Sequence, residues 1–186
     1  MGASIGAVAF KVDTAGFELR RVVQDFFGEA YAAVAGHCDT RDEHCVFAGK
    51  TAEWVIIGNT GFADRFFLAQ DTLAIEKYLT YFGTPELVFA FEEYDSGGSY
   101  GYSLIYDGVL KRQVRTRSYE KTIDFGEPDR VESDWITAGG VEEQEDSEEE
   151  LVQALLQELM MNKLGFTTWN MDEYILEQIY CKKQVV

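Results

Sequence analysis

The chain has two histidines, and each stands directly before a cysteine: His37-Cys38 and His44-Cys45. Imidazole and thiolate are the donors zinc prefers, so these four residues form the local pattern best suited to holding a transition metal. The spacing argues against it. Zinc knuckles place two to four residues between paired ligands, whereas adjacent residues point their side chains apart. A surface loop with a partly buried thiol accounts for the same residues. A thiol beside an imidazole is also a nucleophile beside its base, which makes Cys38, Cys45 and Cys181 candidates for covalent chemistry. An inert thiol is the competing reading for each.

Gly58-Asn59-Thr60-Gly61 follows an apolar run and leads toward a helical pattern at Phe62–Leu68, the general setting for phosphate on a helix N-terminus. It lacks both the G-x-G-x-x-G spacing and a Walker lysine, so a strand-to-helix turn explains it as well. Gly97-Gly98 precedes a strand pattern and offers less. Neighbouring carboxylates occur at Glu92-Glu93 and Glu148–Glu150, but acid–base work needs a cleft that separates their pKa values. Lys111, Arg112, Arg115, Arg117 and Lys121 crowd one hairpin arm. Strand alternation puts Lys111, Arg115 and Arg117 on one face with Gln113, either as an edge strand guarded by charge or as a contact for an acidic partner.

The charge that surrounds these groups decides more than any motif. The 186 residues carry a net charge of −17. Phosphate neutralisation needs a basic surface, so binding to nucleic acid is disfavoured, and so is docking on anionic membranes. A basic protein partner is favoured. Glu142 to Glu150 holds seven acidic residues and no basic one. Glu142, Glu143, Glu145, Asp146, Glu148 and Glu149 are therefore the candidate partner-binding residues. Three cysteines are too few for a disulfide framework, no apolar stretch approaches membrane-spanning length, and Ile5–Phe10 lacks the basic flank of a signal peptide. A reducing cytoplasmic setting is expected, and no motif implies a cofactor.

The elements follow from periodicity. Residues 4–12 read as a buried strand, after which Asp13 or Thr14 caps a helix. Leu19, Val22, Val23, Phe26 and Phe27 fall on one helical face. Val46–Gly49 and Glu53–Asn59 read as strands, and Trp54-Val55-Ile56-Ile57, with no polar alternation, as one covered on both faces. Asp71 or Thr72 is expected to start a helix with Leu73, Tyr78, Leu79 and Phe82 inward, stopped at Gly83-Thr84-Pro85. Glu86–Tyr94, Tyr100–Tyr106 and Val109–Arg117 form a meander, its second turn set by Asp107-Gly108. Ser147 and Glu150 spell a capping box. Asn170 and Glu173 spell a similar one for a last helix, with Trp169 and Tyr174 as its staple and Lys182 and Lys183 at its C-terminal end. The expected fold is a single α+β domain over 1–186. It has a mainly antiparallel sheet of about six strands, including the three-strand meander, and about four helices. Residues 142–150 are the acidic connection where mobility is expected.

Tyr106-Asp107-Gly108-Val109-Leu110-Lys111-Arg112 followed by Asp124-Phe125-Gly126-Glu127-Pro128 resembles a "DG.L.R"–strand–"D.GEP" pattern of uncharacterised bacterial domains whose chains open Met-Gly-Ala, as Met1-Gly2-Ala3 does here. The likeness covers roughly a quarter of the chain. Glu132–Trp135 departs from the apolar run expected after the proline. The resemblance implies a bacterial α+β domain and carries no catalytic residues. By charge and size the chain is also similar to immunity proteins of toxin systems, which meet basic toxins with carboxylates.

Three functional readings follow. The first is a non-enzymatic, intracellular bacterial protein, of the immunity or regulatory kind, that binds a basic partner. The second is an enzyme or small-ligand binder with a site where His37–Cys45 meets Gly58–Gly61. The third is a homodimer formed through the meander edge.

Overall fold

The computed structural model describes residues 4–36, 39–67, 72–118, 122–138 and 147–182. In chain order the elements are β1 (Ser4–Lys11), α1 (Leu19–Phe27), β2 (Tyr31–Val34), β3 (Cys45–Lys50), β4 (Trp54–Gly58), α2 (Thr60–Phe67), α3 (Glu76–Tyr81), β5 (Leu87–Tyr94), β6 (Ser99–Tyr106), β7 (Val109–Thr116), β8 (Ile123–Phe125), α4 (Arg130–Thr137), α5 (Glu148–Leu164), α6 (Met171–Tyr174) and β9 (Leu176–Lys182). The strands form one antiparallel sheet in the order β2-β9-β3-β4-β1-β5-β6-β7-β8. The class is α+β as expected. The counts are larger than expected, with nine strands and six α-helices among the described residues.

Helices cover both faces. Alternate strand residues feed two cores, because successive side chains leave a strand on opposite sides. Val8, Phe10, Val55, Ile57, Val88 and Ala90 meet α1, α2 and α3 on one side. Ala7, Ala9, Ile56, Phe89, Phe91 and Leu104 meet α5 and the segment after it on the other. This is why the strand at Trp54–Ile57 shows no polar alternation: all five residues of β4 are buried.

Local chemistry sets most boundaries. Asp107 and Gly108 both take positive φ, 49° and 77°, as the two-residue turn between β6 and β7 requires. The capping box of α5 is formed in both directions: Glu150 N–H donates to Ser147 Oγ and Ser147 N–H donates to Glu150 Oε2. Gly165 ends that helix in the left-handed conformation. The capping box of α4 has the same spacing, Asp129-x-x-Glu132, with Asp129 accepting from Val131 N–H and Glu132 accepting from Asp129 N–H.

Three expectations are corrected. The last helix is a single turn, α6, without a side-chain cap; Asn170 Oδ1 turns back to accept from Thr167 N–H at 2.8 Å. The residues after it form β9, which inserts between β2 and β3. Trp169 and Tyr174 do not staple a helix; both are exposed, and Tyr174 stacks on Phe166. Lys182 lies in a strand, and Lys183 is outside the described residues. The helix expected from Asp71 or Thr72 begins as a 3-10 turn at Thr72–Ala74 and becomes α-helical only at Glu76, with Leu73 facing outward. Finally, β7 is no edge strand, because β8 pairs beyond it at Gln113–Arg115. Lys111 has no register partner at a shift in the ladder, which turns Arg112 to the α4 side although Leu110 two residues before packs on the α2 side; Arg115, an odd number of positions further on, faces α2 by ordinary alternation.

Candidate protein-binding surface

The groups that could do chemistry are mostly engaged in holding the fold. Glu92 and Glu93 are adjacent on β5 and therefore point to opposite faces. Glu92 is held bidentately by Arg115, with Nε to Oε1 at 2.6 Å and Nη2 to Oε2 at 2.5 Å. Arg115 also reaches Asp64 on α2 and lies 4.4 Å over the Phe67 ring, and Arg117 closes on the same two carboxylates. On the other face Arg112 pairs with fully buried Glu132 and with Asp124. Tyr102 donates to Glu132 at 2.5 Å, and the Tyr102 phenol is driven upward by burial and then by that carboxylate. Lys163 on α5 pairs with Asp129 at 3.0 Å. The cationic arm of the meander is thus internal ion pairing, apart from exposed Lys111; Lys121 is outside the described residues.

Glu93 is the exception among the buried acids. Its carboxylate receives only neutral donors: Gln153 Nε2 at 2.8 Å, Gln157 Nε2 at 2.5 Å, Thr168 Oγ1 at 2.5 Å and Trp169 Nε1 at 3.3 Å. Gln153 also reaches Asp95 at 3.2 Å, and Tyr100 donates to Asp95 at 3.4 Å. The start of α5 adds Glu148, Glu149 and Glu150. Their joint field acts on Tyr100, whose phenol is pushed up to about 12 by burial first and then by Asp95, Glu93 and Glu149. One end of the sheet is therefore strongly negative, and beside it Trp169 holds its indole N–H on Glu93 while its ring stays 67% exposed.

Of the expected partner-binding residues, Glu148 and Glu149 belong to this region; Glu148 accepts from Thr122 Oγ1 at 2.5 Å. Glu142, Glu143, Glu145 and Asp146 lie outside the described residues. Asp95, Glu93 and Trp169 were not legible as members. Gln153 and Trp169 stand 60 and 76 residues from Glu93, and no local spacing connects them.

His37 and Cys38 of the metal candidate are outside the described residues. His44 is turned to Glu43 at 3.5 Å, and Cys45 is buried with its sulfur toward Cys181. Among the described residues no group of three or more His, Cys, Asp or Glu side chains is arranged to hold a metal ion. The Gly58–Gly61 turn does meet the loop before Cys45. Asn59 Nδ2 donates to the Cys45 carbonyl at 2.9 Å, and Thr60 N–H donates to the Thr40 carbonyl at 2.7 Å. Asn59 Oδ1 accepts from Phe62 N–H at 3.0 Å, so the start of α2 is capped by the protein itself. A concavity of about 380 Å³ lies instead at Lys11–Asp13, Ala52, Glu53 and Glu86, and its walls offer one ion pair, Lys11–Glu86 at 3.1 Å.

No family model, no curated protein and no solved structure matches this chain. No helix among the described residues is long and apolar enough to cross a membrane.

Proposed function

We propose that this chain is a non-enzymatic binding protein that docks a basic protein partner on its acidic end, in the manner of a bacterial immunity or regulatory protein acting in the cytoplasm. The observation that carries the reading is where the charge resides. Among the described residues the buried acidic and basic side chains are three glutamates and two arginines, a formal balance of −1 against a net −17 for the chain, so little of the negative charge of the described residues is buried. A surface of one sign steers an oppositely charged partner and raises its association rate. The contact centres on Glu148, Glu149 and Asp95, with Trp169 as its aromatic anchor. A tryptophan held by its N–H is already ordered before binding, which lowers the entropic cost of using it. The acidic residues from Glu142 to Asp146 continue this charge in sequence.

The test uses the full chain as immobilised bait against proteins of its native host, eluted by a salt gradient. A discrete basic protein that elutes as salt rises, and then binds in purified form, supports the reading. Equal retention of all basic proteins, or none, contradicts it.

A further inference from the structure

Cys45 on β3 and Cys181 on β9 are register partners, 136 residues apart in sequence, with their sulfurs 3.5 Å apart. Both are free thiols. Backbone bonding identifies the kind of pair. Lys182 N–H donates to the His44 carbonyl at 3.0 Å, so the neighbouring position carries the hydrogen bonds. Cys45 turns its own groups away from β9: its N–H donates to the Asp42 carbonyl at 2.9 Å, and its carbonyl accepts from Asn59 Nδ2. The cysteines therefore occupy a non-hydrogen-bonded position, where Cα atoms of antiparallel strands lie about 4.5 Å apart and side chains are closest. That separation falls inside the range of about 4.4–6.8 Å that a disulfide spans. Side-chain rotation alone has to close the sulfurs from contact to a bond of about 2.05 Å.

We propose that Cys45 and Cys181 form a dithiol modification site that reacts with low-molecular-weight disulfides of the oxidised-glutathione class and becomes a cross-strand disulfide. Cys181 is the entry point, being partly exposed where Cys45 is buried. Its thiolate attacks one sulfur of the reagent, a mixed disulfide forms, and the first reagent thiolate leaves and takes up a proton. The Cys45 thiolate then attacks Cys181 Sγ, the new S–S bond forms, and the second reagent thiolate leaves. Two electrons and two protons pass from the cysteine pair to the reagent, which is reduced to two thiols. The groups facing the pair are Asp42, Glu43 and the Tyr31 hydroxyl, which donates to the Glu43 carbonyl. Burial, then Cys45 and Asp42, hold the Cys181 thiol up at about 11, so the exchange quickens as pH rises toward that value. The product ties the inserted strand β9 to β3 and fixes the otherwise non-covalent closure of that side of the sheet.

Reduced full-length protein is incubated with oxidised glutathione at about pH 8.5 and digested with trypsin. Cleavage after Arg41 separates Cys38, in the peptide Val22–Arg41, from Cys45, in Asp42–Lys50, while Cys181 falls in Leu164–Lys182. The expected product joins the last two peptides, raises Tm by about 5 °C or more, and reverts with dithiothreitol. A Cys38→Ser variant gives the same product, and Cys45→Ser stops at glutathione on Cys181. Glutathione remaining on Cys181 of the unaltered protein, a linkage through Cys38, or a cross-link that leaves Tm unchanged would overturn the proposal.

Discussion

Arg115 reaches Glu92 by lying across Gly101. The three are cross-strand neighbours on β7, β5 and β6, and a Cβ on Gly101 would stand 3.0 Å from Arg115 Cγ and 2.9 Å from the Val114 carbonyl oxygen. The bare backbone makes room for a guanidinium that is 7% exposed to meet a carboxylate that is 1% exposed. Removing one member leaves the other charge buried without its partner. Glu92→Ala is expected to cost about 3–5 kcal/mol in urea unfolding, and Asp64→Asn, at the half-exposed corner of the network, distinctly less. Equal small losses from both would show that the network of Arg115, Arg117, Glu92 and Asp64 does not brace β7 against α2.

Gly101 and Gly58 are two of the positions where close contact requires glycine. Gly101→Ala pushes on backbone as well as on Arg115, and Gly58→Ala places a methyl inside the Phe47 ring that covers Gly58 from the paired strand. Each substitution is expected to lose about 1–3 kcal/mol, the usual cost of overpacking. The Gly58→Ala loss should shrink when Phe47 is shortened to Leu, as a double-mutant cycle would read out. Additive losses would mean that the ring is not what the methyl meets.

Acid stability has an identifiable contributor. Burial pulls Asp129 upward, but the Val131 N–H, Lys163 and Tyr106 outweigh it and hold the carboxyl below its ordinary 3.8. A carboxyl depressed in the folded state contributes stability above its unfolded pKa. That contribution disappears as pH falls through the lower folded value. Asp129→Asn should therefore flatten the pH dependence of the urea midpoint below about pH 4 and lower stability at neutral pH. A variant that keeps the full acid slope would assign that slope elsewhere.

Glu93 anchors Gln153, Gln157, Thr168 and Trp169 together. Glu93→Ala strands these donors, with an expected cost of about 3 kcal/mol. It should also change the emission of Trp169, the most exposed of the large hydrophobic residues in this region, where Trp54 is buried. Unchanged emission together with a stability loss would separate the carboxylate from the indole.

How much of this the sequence disclosed depended on distance along the chain. The Asp107-Gly108 turn and the Ser147–Glu150 box were legible because all their partners lie within four residues. The α1 stripe was legible for the same reason. The cap-like Asn170–Glu173 pair misled, since β9 takes its conformation from β2 and β3 on either side and that pairing overrides a local helix signal. The cationic arm was visible as composition, but its roles were not. Arg115 meets Glu92 from 23 residues away and Asp64 from 51. The acidity of the proposed docking surface was legible in Glu142–Glu150, whereas Glu93, Asp95 and Trp169 are brought together with the start of α5 only by long-range contacts through Gln153 and Gln157.

The most direct measurement compares two variants of equal charge against a captured basic partner by titration calorimetry at two salt concentrations. One carries Gln or Asn at Glu142, Glu143, Glu145, Asp146, Glu148 and Glu149. The other carries Gln at Glu18, Glu29, Glu43, Glu53, Glu76 and Glu86, which are exposed elsewhere. The proposed function predicts that the first loses affinity by about tenfold or more with a weaker salt dependence, while the second stays within about threefold of the unaltered protein. Equal losses from both variants, or none from either, would contradict a defined acidic docking surface.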